Sequence, residues 1–413
     1  MMRPVRFVHC SDIHLGCSFK GVASADAGLA GKLVDATYEA FAAIIDLAID
    51  KNVDFVLIAG DLFDDEDRSL KSRLFLRDQL LRLDARRISS YIVCGNHDPL
   101  DNWSKTVKLP DSAHVFESGE PQTVIFEKAG DPLASITGIS FPTASIKKNL
   151  AKKFSRPADK LPAIALLHTD VGSLGRKSYA PCQLKDLENT GFDYWAIGHV
   201  HTFNILKKAT PAVVYPGCSQ GTSPRETGAK GCCLVELNSD NEIDIQFVAV
   251  DKMRYYQECV DISGCSEISE IQQKLGALDS LLQEKAEGRN IILRLSLTGR
   301  TALHRELKEA ACDEIFELAA SCLPGCNLDR VIVDTGSLID RDSLISSGGF
   351  PAEVLEESGK LLADDGIKEL KRTLSAVSRN CRDIGEFSDD EMGQIVQQAE
   401  TMLLDYLVGE TEN

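Results

Sequence analysis

The sequence lacks the features of several protein classes. It has no apolar run of about 18 residues or more, so we predict no membrane-spanning helix. The first ten residues, "MMRPVRFVHC", contain no hydrophobic region of a signal peptide, and we therefore expect a cytoplasmic protein. Thirteen cysteines are present without a C-x-x-C pair, which favours reduced thiols in the core over disulfides or a zinc knuckle.

An excess of positive charge is also missing. The 413 residues include 45 Lys and Arg against 63 Asp and Glu, which gives a net charge of −18. Such a chain does not bind polyanions through general electrostatics, because phosphate neutralisation needs clustered Lys and Arg. No pattern of aromatic residues between basic ones indicates a platform for stacking single-stranded nucleic acid. Any phosphate chemistry must therefore be local.

Short apolar runs alternate with helical stretches in the first hundred residues. Strands are predicted over 5–10, 54–60 and 90–95, and helices over 33–51 and 69–87, from apolar runs and from apolar residues at helical spacing. This β-α-β-α-β order predicts parallel strands joined by crossover helices. In such sheets the ligand site lies outside the carboxyl ends of the strands.

Five apolar runs end in His, Asp or Asn. In chain order they lead to Asp12 and His14, to Asp61 and Asp64, to Asn96 and His97, to His168, and to His199 and His201. Residues i and i+2 of an extended segment project to the same side, so the D-x-H and H-x-H patterns can each direct two side chains into one cavity. His9 lies inside the first strand, and we predict a structural role for it.

These residue types suit a pair of metal ions. The predicted ligands are Asp12, His14, Asp61, Asn96, His168, His199 and His201. If Asp61 bridges, seven side chains coordinate two ions. Mixed His, Asp and Asn shells suit Mn²⁺, Fe, Co or Zn better than Ca²⁺ or Mg²⁺, and manganese is our first choice. Any one of these motifs alone is more simply a turn or a core histidine, but five in one register favour a shared site.

The ordered set D-x-H, GD-x-x-D, GNHD, H and GH-x-H resembles the calcineurin-like metallophosphoesterase superfamily. Within it, "LIAGDLFD", "IVCGNHD", "LLHTDVG", "SYAPCQLKDLENTGFDYWAIGHVHTFNIL" and "VVYPGCSQGTSPRETGAKGCCLVEL" are similar to the SbcD nuclease family, and especially to YhaO-type bacterial DNA repair exonucleases. The resemblance covers roughly residues 5 to 250. It implies an α/β fold, a two-sheet αββα sandwich with a small α+β cap domain and a helical C-terminal segment.

The resemblance also implies roles for the residues. One metal would be held by Asp12, His14, Asp61 and His201, and the other by Asp61, Asn96, His168 and His199. A bridging hydroxide would attack phosphorus, while His97 protonates the leaving oxygen. Asp64 would orient His97, and Gly95 would permit the sharp turn after the third strand.

Three domains are predicted. Residues 1–251 form the phosphoesterase (nuclease) domain, 252–338 a capping domain that helps hold DNA, and 339–413 a helical region. In that last region a capping box at Ser388 and Glu391 precedes an apolar stripe from Met392 to Tyr406. The stripe either packs on its own domain or, as the resemblance implies, docks an SbcC/YhaN-like coiled-coil ATPase subunit. The resemblance also allows a homodimer.

Contacts to DNA are predicted from basic residues. Lys147, Lys148, Lys152 and Lys153 lie in "SIKKNLAKKFSRPADK", and Arg225 and Lys230 are comparable candidates. The alternative for the lysines is a solvated basic helix.

Three functions are compatible with these patterns. The first is a Mn²⁺-dependent DNA exonuclease or endonuclease in repair, and the second is a phosphoesterase acting on nucleotides or other small phosphoesters. The third is a DNA-end-binding scaffold without catalysis. The complete ligand set and His97 argue against the scaffold, and the cap-like region argues mildly against a small substrate.

Overall fold

The computed structural model describes residues 3–17, 27–64, 69–102, 107–172, 178–238, 242–378 and 387–410. Its strands are β1 (Val5–Cys10), β2 (Phe55–Ala59), β3 (Ser89–Val93), β4 (Ala113–Val115), β5 (Gln122–Lys128), β6 (Asp131–Ile139), β7 (Ala163–His168), β8 (Tyr194–Gly198), β9 (Asn204–Lys207), β10 (Ala212–Tyr215), β11 (Gly231–Leu237), β12 (Ile243–Ala249), β13 (Met253–Asp261), β14 (Asn290–Thr301) and β15 (Cys326–Ser337). Its α-helices are α1 (Ala27–Asp50), α2 (Leu70–Asp84), α3 (Leu184–Glu188), α4 (Ile268–Ala286), α5 (His304–Glu309), α6 (Cys312–Cys322), α7 (Arg341–Ser347), α8 (Phe350–Leu362), α9 (Asp364–Ser378) and α10 (Asp389–Glu410).

The chain divides into two compact units. The first unit comprises Met1–Glu258, Ala277–Leu295 and Leu323–Arg330, and the second comprises Cys259–Gly276, Ser296–Cys322 and Val331–Asn413. None of the helices in the described ranges is both long enough and apolar enough to cross a membrane.

Two six-stranded sheets lie in the first unit. One has the strand order β12-β11-β1-β2-β3-β4 and the other has the order β5-β6-β7-β8-β10-β9. The strands β1 to β4 are parallel, as the sequence predicts for the first three of them, and antiparallel β11 and β12 extend this sheet at the β1 side. The predicted two-sheet α/β architecture is thereby confirmed.

Alternating apolar residues place the core on both faces of each sheet. Along β2, Phe55 and Leu57 face the interior between the sheets, whereas Val56 and Ile58 pack with Phe41 of α1 on the outer face. A third cluster on the outer face of the second sheet includes Trp195 of β8 and residues around α3. Each fully buried large apolar side chain stabilises the fold by roughly 1.5–3 kcal/mol. The strand ends are therefore held rigidly.

Downstream, β13, β14 and β15 form a three-stranded sheet. The helices α5 and α6 are separate, because Ala310 is extended and the Glu314 carboxylate accepts the Ala311 N–H at 3.1 Å to start α6. The predicted capping box is present, since Ser388 Oγ accepts the Glu391 N–H at 3.2 Å and Glu391 Oε2 accepts the Ser388 N–H at 2.7 Å.

Candidate metal centre

The carboxyl ends of β1, β2, β3, β7 and β8 converge on one cluster of polar side chains. His168 Nε2 lies 3.3 Å from Asp61 Oδ2 and 3.1 Å from Asn96 Oδ1. His201 Nε2 lies 3.6 Å from Asp12 Oδ1. Residues from both sheets thus meet at a single place.

The two other predicted ligands belong to the same cluster. His14 Nε2 is 4.0 Å from Asp61 Oδ2, and the candidate ligand atoms of Asp12, His14 and His201 all lie within 4.8 Å of one another. The backbone N–H of His199 donates to Asp12 Oδ2 at 3.0 Å, and its ring centroid is 5.3 Å from that of His168. All seven side chains predicted as ligands are brought together.

Four of these residues have a left-handed backbone. The φ angles are 51° at Asp12, 47° at His14, 54° at Asp61 and 110° at His199. Residues other than glycine rarely adopt such angles, and each costs of order 1–3 kcal/mol. The loop after β1 is held in place by backbone hydrogen bonds, from Ile13 N to Asp61 O at 2.8 Å and from Asp12 N to Gly60 O at 3.0 Å. Strain of this kind is typical of functional sites.

A glycine is required at position 95 after the third strand, but not for the reason that the sequence analysis gives. Its φ is not left-handed, so the turn itself does not require glycine. A Cβ at this position would instead collide with the Asp61 carboxylate. Glycine is needed because the chain passes directly against a candidate ligand.

The site contains buried polar atoms that need a partner. In the described part of the chain, His14 Nε2 and Asp12 Oδ1 make no hydrogen bond although both are buried. Orphaned buried groups are costly, and a cation would satisfy both of them. The mixture of imidazole nitrogens with carboxylate and amide oxygens fits transition-metal ions such as Mn²⁺ or Zn²⁺.

Charge coupling within the site is strong. Burial would lower the pKa of His168, but the neighbouring Asp61 carboxylate raises the pKa to about 9. Burial would raise the pKa of Asp61, but the His168 charge holds this pKa well below its usual range. Burial lowers the pKa of His14. A metal ion needs neutral imidazoles, so its binding must release protons from the site.

His97 lies beside the cluster, and its candidate ligand atom lies within 4.8 Å of those of His14 and Asp64. Its backbone N–H donates to Asp61 Oδ1 at 2.9 Å, and its Nδ1 is 2.9 Å from Asp64 Oδ1. Its ring centroid is 5.0 Å from that of His14, and a third of the side chain is exposed. The Asp64 contact fixes the ring orientation and favours the tautomer with the proton on Nδ1.

Comparisons with known proteins agree with this geometry. Residues 5–203 match the family model described as calcineurin-like phosphoesterase, and residues 255–336 match the model described as metallophosphoesterase YhaO, middle domain. A protein of Bacillus subtilis (strain 168), described as uncharacterized metallophosphoesterase YhaO, is 35% identical over 300 residues, covering 72% of this chain and 73% of that protein. The chain belongs to the YhaO family of metallophosphoesterases.

More distant relatives of this YhaO-family chain carry the name DNA double-strand break repair protein Mre11. The Thermoplasma acidophilum protein is 26% identical over 253 residues, covering 58% of this chain and 66% of that protein. The Sulfurisphaera tokodaii protein is 27% identical over 335 residues, covering 75% and 78%. Among solved structures, a dimetal phosphatase from Danio rerio has a TM-score of 0.32 at 11% identity, covering 59% of this chain and 99% of that one.

Membership of the family establishes a phosphoester hydrolase whose site holds divalent metal ions. The His and Asp clusters described above are where those ions fit.

Two further residues of the site were not predicted from the sequence. Asp98 is the last residue of the "GNHD" motif and is almost fully buried. Glu226 contacts His201 Nδ1 from a loop 25 residues further along the chain.

Asp98 ties together the loops that follow β2 and β3. Its Oδ1 accepts the N–H of Gly95 at 2.7 Å and of Asp61 at 3.1 Å, while Oδ2 accepts the N–H of Leu62 at 2.9 Å. Burial, followed by the charge of Asp61, raises the pKa of Asp98 to about 7. The motif is visible in the sequence, but the structure is needed to show that Asp98 accepts hydrogen bonds from backbone N–H groups of two loops.

The structural role predicted for His9 agrees with its surroundings in this YhaO-family chain. The side chain is fully buried, its Nδ1 lies 3.0 Å from Tyr194 Oη, and burial lowers its pKa to about 3. A neutral ring inside the core has no part in the metal cluster.

The basic residues proposed for DNA binding also lie in the first unit, and one of them, Lys230, is buried beside the cluster, where its Nζ donates to the carbonyl oxygen of His201 at 3.4 Å. Lys147 Nζ donates to Ser178 O at 3.0 Å and stands 5.0 Å from the centroid of the Tyr179 ring. Lys153 Nζ pairs with Glu120 at 2.7 Å, whereas Lys148 and Lys152 are exposed. Arg225 is exposed and lines a cleft of about 490 Å³ with Tyr256 and Gln257.

Proposed function

We propose that this protein is a metal-dependent DNA phosphodiester hydrolase, an exonuclease with potential endonuclease activity, that acts in DNA repair. The observation that carries the proposal is the meeting of Asp61 with the six other candidate ligands, with His97 and Asp64 directly beside them. The similarity to proteins named for double-strand break repair supports DNA as the substrate.

The ligands divide into two shells that share Asp61. Asp12, His14 and His201 complete one shell, and Asn96, His168 and His199 complete the other. Two divalent ions, for which we favour Mn²⁺, would supply a hydroxide nucleophile and neutralise the charge that develops on the phosphate. The protein contributes two carboxylates to about four positive charges, which leaves a local excess facing the substrate in an otherwise acidic chain.

His97 is proposed as the general acid. Asp64 holds Nδ1 at 2.9 Å, so the ring, when protonated on both nitrogens as an imidazolium, presents Nε2–H for proton donation to the leaving oxygen and is left neutral with its remaining proton on Nδ1. Asp61 fixes the backbone of the same residue at 2.9 Å, which ties the acid to the bridging ligand. A positioned acid of this kind contributes about 10²–10⁴-fold in rate.

We propose that the regions predicted from the sequence have separate functions in hydrolysis and in DNA binding. Residues 1–251 carry out hydrolysis, and 252–338, which include the match to the YhaO middle domain, cap the DNA. Exposed Lys148, Lys152 and Arg225 contact its phosphates.

The C-terminal helices are proposed to dock a coiled-coil ATPase. Met392 and Val396 of the predicted stripe are buried, but Met402, Leu403 and Tyr406 are exposed, and α8, α9 and α10 line an apolar groove of about 640 Å³. A Met402→Glu change should abolish co-purification with the ATPase subunit. Unchanged co-purification would contradict docking at this face.

The test of the function is release of nucleotides from end-labelled linear duplex DNA by the protein loaded with Mn²⁺. We expect wild type to release nucleotides and His97→Ala to lose about 10²-fold or more while retaining both metal ions, because His97 is outside the ligand shells. His304→Ala is the matched control, since His304 contacts Thr335 Oγ1 in the second unit and should leave the rate unchanged.

Three outcomes would contradict the proposal. Loss of metal in His97→Ala would mean that His97 is a ligand and not the acid. Absence of DNA cleavage, together with hydrolysis of nucleotides or other small phosphoesters, would favour the second candidate function. Binding of DNA ends without hydrolysis of any phosphodiester would leave a scaffold.

A further inference from the structure

Within the described residues, Glu226 is the side chain that hydrogen-bonds to Nδ1 of His201. Its Oε1 accepts a short hydrogen bond from Nδ1, while Nε2 on the other side of the ring lies 3.6 Å from Asp12 Oδ1. The His201 imidazole is therefore held between two carboxylates, that of Asp12 on the Nε2 side and that of Glu226 on the Nδ1 side. The inner one belongs to the metal cluster and the outer one does not.

Both oxygens of Glu226 are already committed. Its Oε2 accepts the N–H of Thr222 at 2.6 Å and of Ser223 at 3.1 Å, and the Thr222 hydroxyl donates to the same atom at 3.3 Å. The Cys218 thiol is within 4.8 Å of the Glu226 and His201 ligand atoms. That thiol is, however, directed to the carbonyl oxygen of His201 at 3.5 Å. These contacts make Glu226 an orienting group and argue against a third metal site.

His201 needs such a partner more than His168 does. The His168 side chain is 0% exposed and its Nδ1 is 2.8 Å from the carbonyl oxygen of Ala59, so packing and the backbone both fix the ring. The His201 side chain is 32% exposed. Packing alone does not hold a partly exposed ring in one orientation, and a hydrogen bond at Nδ1 does.

The loop that carries Glu226 is anchored to β13. Gln257 Nε2 donates to the carbonyl oxygen of Pro224 at 2.6 Å, and Gly228 N donates to the carbonyl oxygen of Tyr255 at 3.1 Å. Thr227 and Tyr255 also form an isolated bridge. Glu226 is thus presented from a fixed backbone, as a residue that orients another must be.

We propose that Glu226 is a positioning residue that fixes the tautomer and orientation of His201 as a metal ligand. The inference rests on the function proposed for this site, but it concerns metal binding and not the choice of substrate. With Nδ1 protonated toward Glu226, the lone pair of Nε2 points to the metal cluster. A carboxylate partner also increases the basicity of the ligating nitrogen.

The test is Mn²⁺ binding to metal-free protein, measured by titration calorimetry for wild type, Glu226→Ala and Glu226→Gln. We expect Glu226→Ala to weaken one of two binding events about 10–100-fold and to leave the other unchanged. Glu226→Gln should lie between, since its carbonyl oxygen can accept from His201 but its amide cannot accept from Thr222 and Ser223. Glu236→Gln is the matched control, because Glu236 pairs with Arg6 on β1.

Three further readouts separate positioning from a structural role. The ¹⁵N chemical shifts of His201 should change from a single Nδ1-protonated tautomer in wild type to a mixture in Glu226→Ala. Hydrolysis by that variant should recover at saturating Mn²⁺ with little change in KM. The melting temperature of the metal-free variant should stay close to that of wild type.

The proposal would be overturned by wild-type affinity at both metal sites with an unchanged His201 tautomer. It would equally be overturned if both binding events weakened together with a large loss of metal-free stability, which would indicate a structural residue. Failure of the wild-type protein to cleave DNA would reject the proposed substrate, and it would leave these binding measurements intact.

Discussion

The metal centre combines candidate ligands that have left-handed backbone angles with a glycine that lies against one of them. Asp12, His14, Asp61 and His199 hold left-handed φ angles, and Gly95 lies where a Cβ would meet the Asp61 carboxylate. The ligands are thereby fixed before any ion binds, at a conformational cost that the surrounding core supports.

Gly95→Ala should therefore damage the metal site. The added methyl group must displace the Asp61 carboxylate, which is proposed to belong to both ligand shells, so we expect Mn²⁺ affinity to fall by at least about tenfold. Titration calorimetry on metal-free protein measures this. Gly31→Ala is the control, because no atom lies within 4 Å of a Cβ there and alanine favours the α1 helix. Equal Mn²⁺ affinity in the two variants would contradict the account of Gly95.

Sequence patterns identify residues of this site only where they follow a strand. Asp12, Asn96 and His168 were predicted because each comes directly after an apolar run. Glu226 follows no such run, and it acts on a residue 25 positions away. Asp98 accepts hydrogen bonds from backbone N–H groups, and such contacts leave no pattern of residue types in the sequence.

At the scale of elements, Asp54 joins three strands just before β2 begins. Its carboxylate accepts the Arg6 N–H at 3.0 Å and pairs with Arg3 at 2.8 Å and with Lys128 at 2.7 Å. Burial opposes ionisation, but the hydrogen bonds from Arg3 and Lys128 hold the pKa of Asp54 below its usual range. The charged form of Asp54 is therefore the one that stabilises the fold.

Asp54→Asn should destabilise the protein in a pH-dependent manner. A carboxyl group with a lowered pKa contributes stability above its unfolded value of about 3.9, and the contribution is lost as pH falls through the folded value. We expect a difference from wild type of about 1–2 kcal/mol in the free energy of unfolding at pH 7, since both cationic partners are partly exposed. Urea unfolding across pH is the measurement.

Asp131→Asn is the control for that series, because Asp131 is an exposed residue at the start of β6. The difference between Asp54→Asn and wild type should shrink below about pH 4. A difference that stays constant with pH would contradict an ionic role for Asp54.

The sequence predicts a strand or helix correctly where the spacing of apolar residues along the chain determines it. The strand from Val5 to Cys10 matches its prediction to the residue, and α1 and α2 differ from theirs mainly at the ends. The pairing of β1 with β11 joins residues more than 200 positions apart and leaves no local pattern. The separation of α5 from α6 depends on the extended backbone at Ala310, which no local apolar pattern marks.

At the scale of the whole molecule, the negative net charge limits how the protein can bind DNA. The proposed DNA substrate is a polyanion, so a chain with a net charge of −18 must bind it through local contacts. The lysines between 147 and 153 are not equivalent in the structure. Lys153 is bound to Glu120 and to the Gly119 carbonyl oxygen, whereas Lys148 and Lys152 are exposed.

A Lys148→Ala and Lys152→Ala double variant should weaken binding of duplex DNA by metal-free protein. Each lost phosphate contact should reduce the slope of log affinity against log salt by about 0.9. Fluorescence anisotropy at several salt concentrations measures both quantities. Lys153→Ala, whose ammonium group is already paired, should have a smaller effect. Identical slopes in all three proteins would place the DNA path elsewhere.

The central claim is that two ion-binding shells sharing Asp61 support phosphodiester hydrolysis. Its most direct test is to titrate Mn²⁺ into metal-free wild-type protein while following hydrolysis of a chromogenic phosphodiester and counting bound ions by mass spectrometry. We expect two ions per chain and hydrolysis that appears with the second equivalent. Full activity with a single bound ion, or none with two, would contradict the claim.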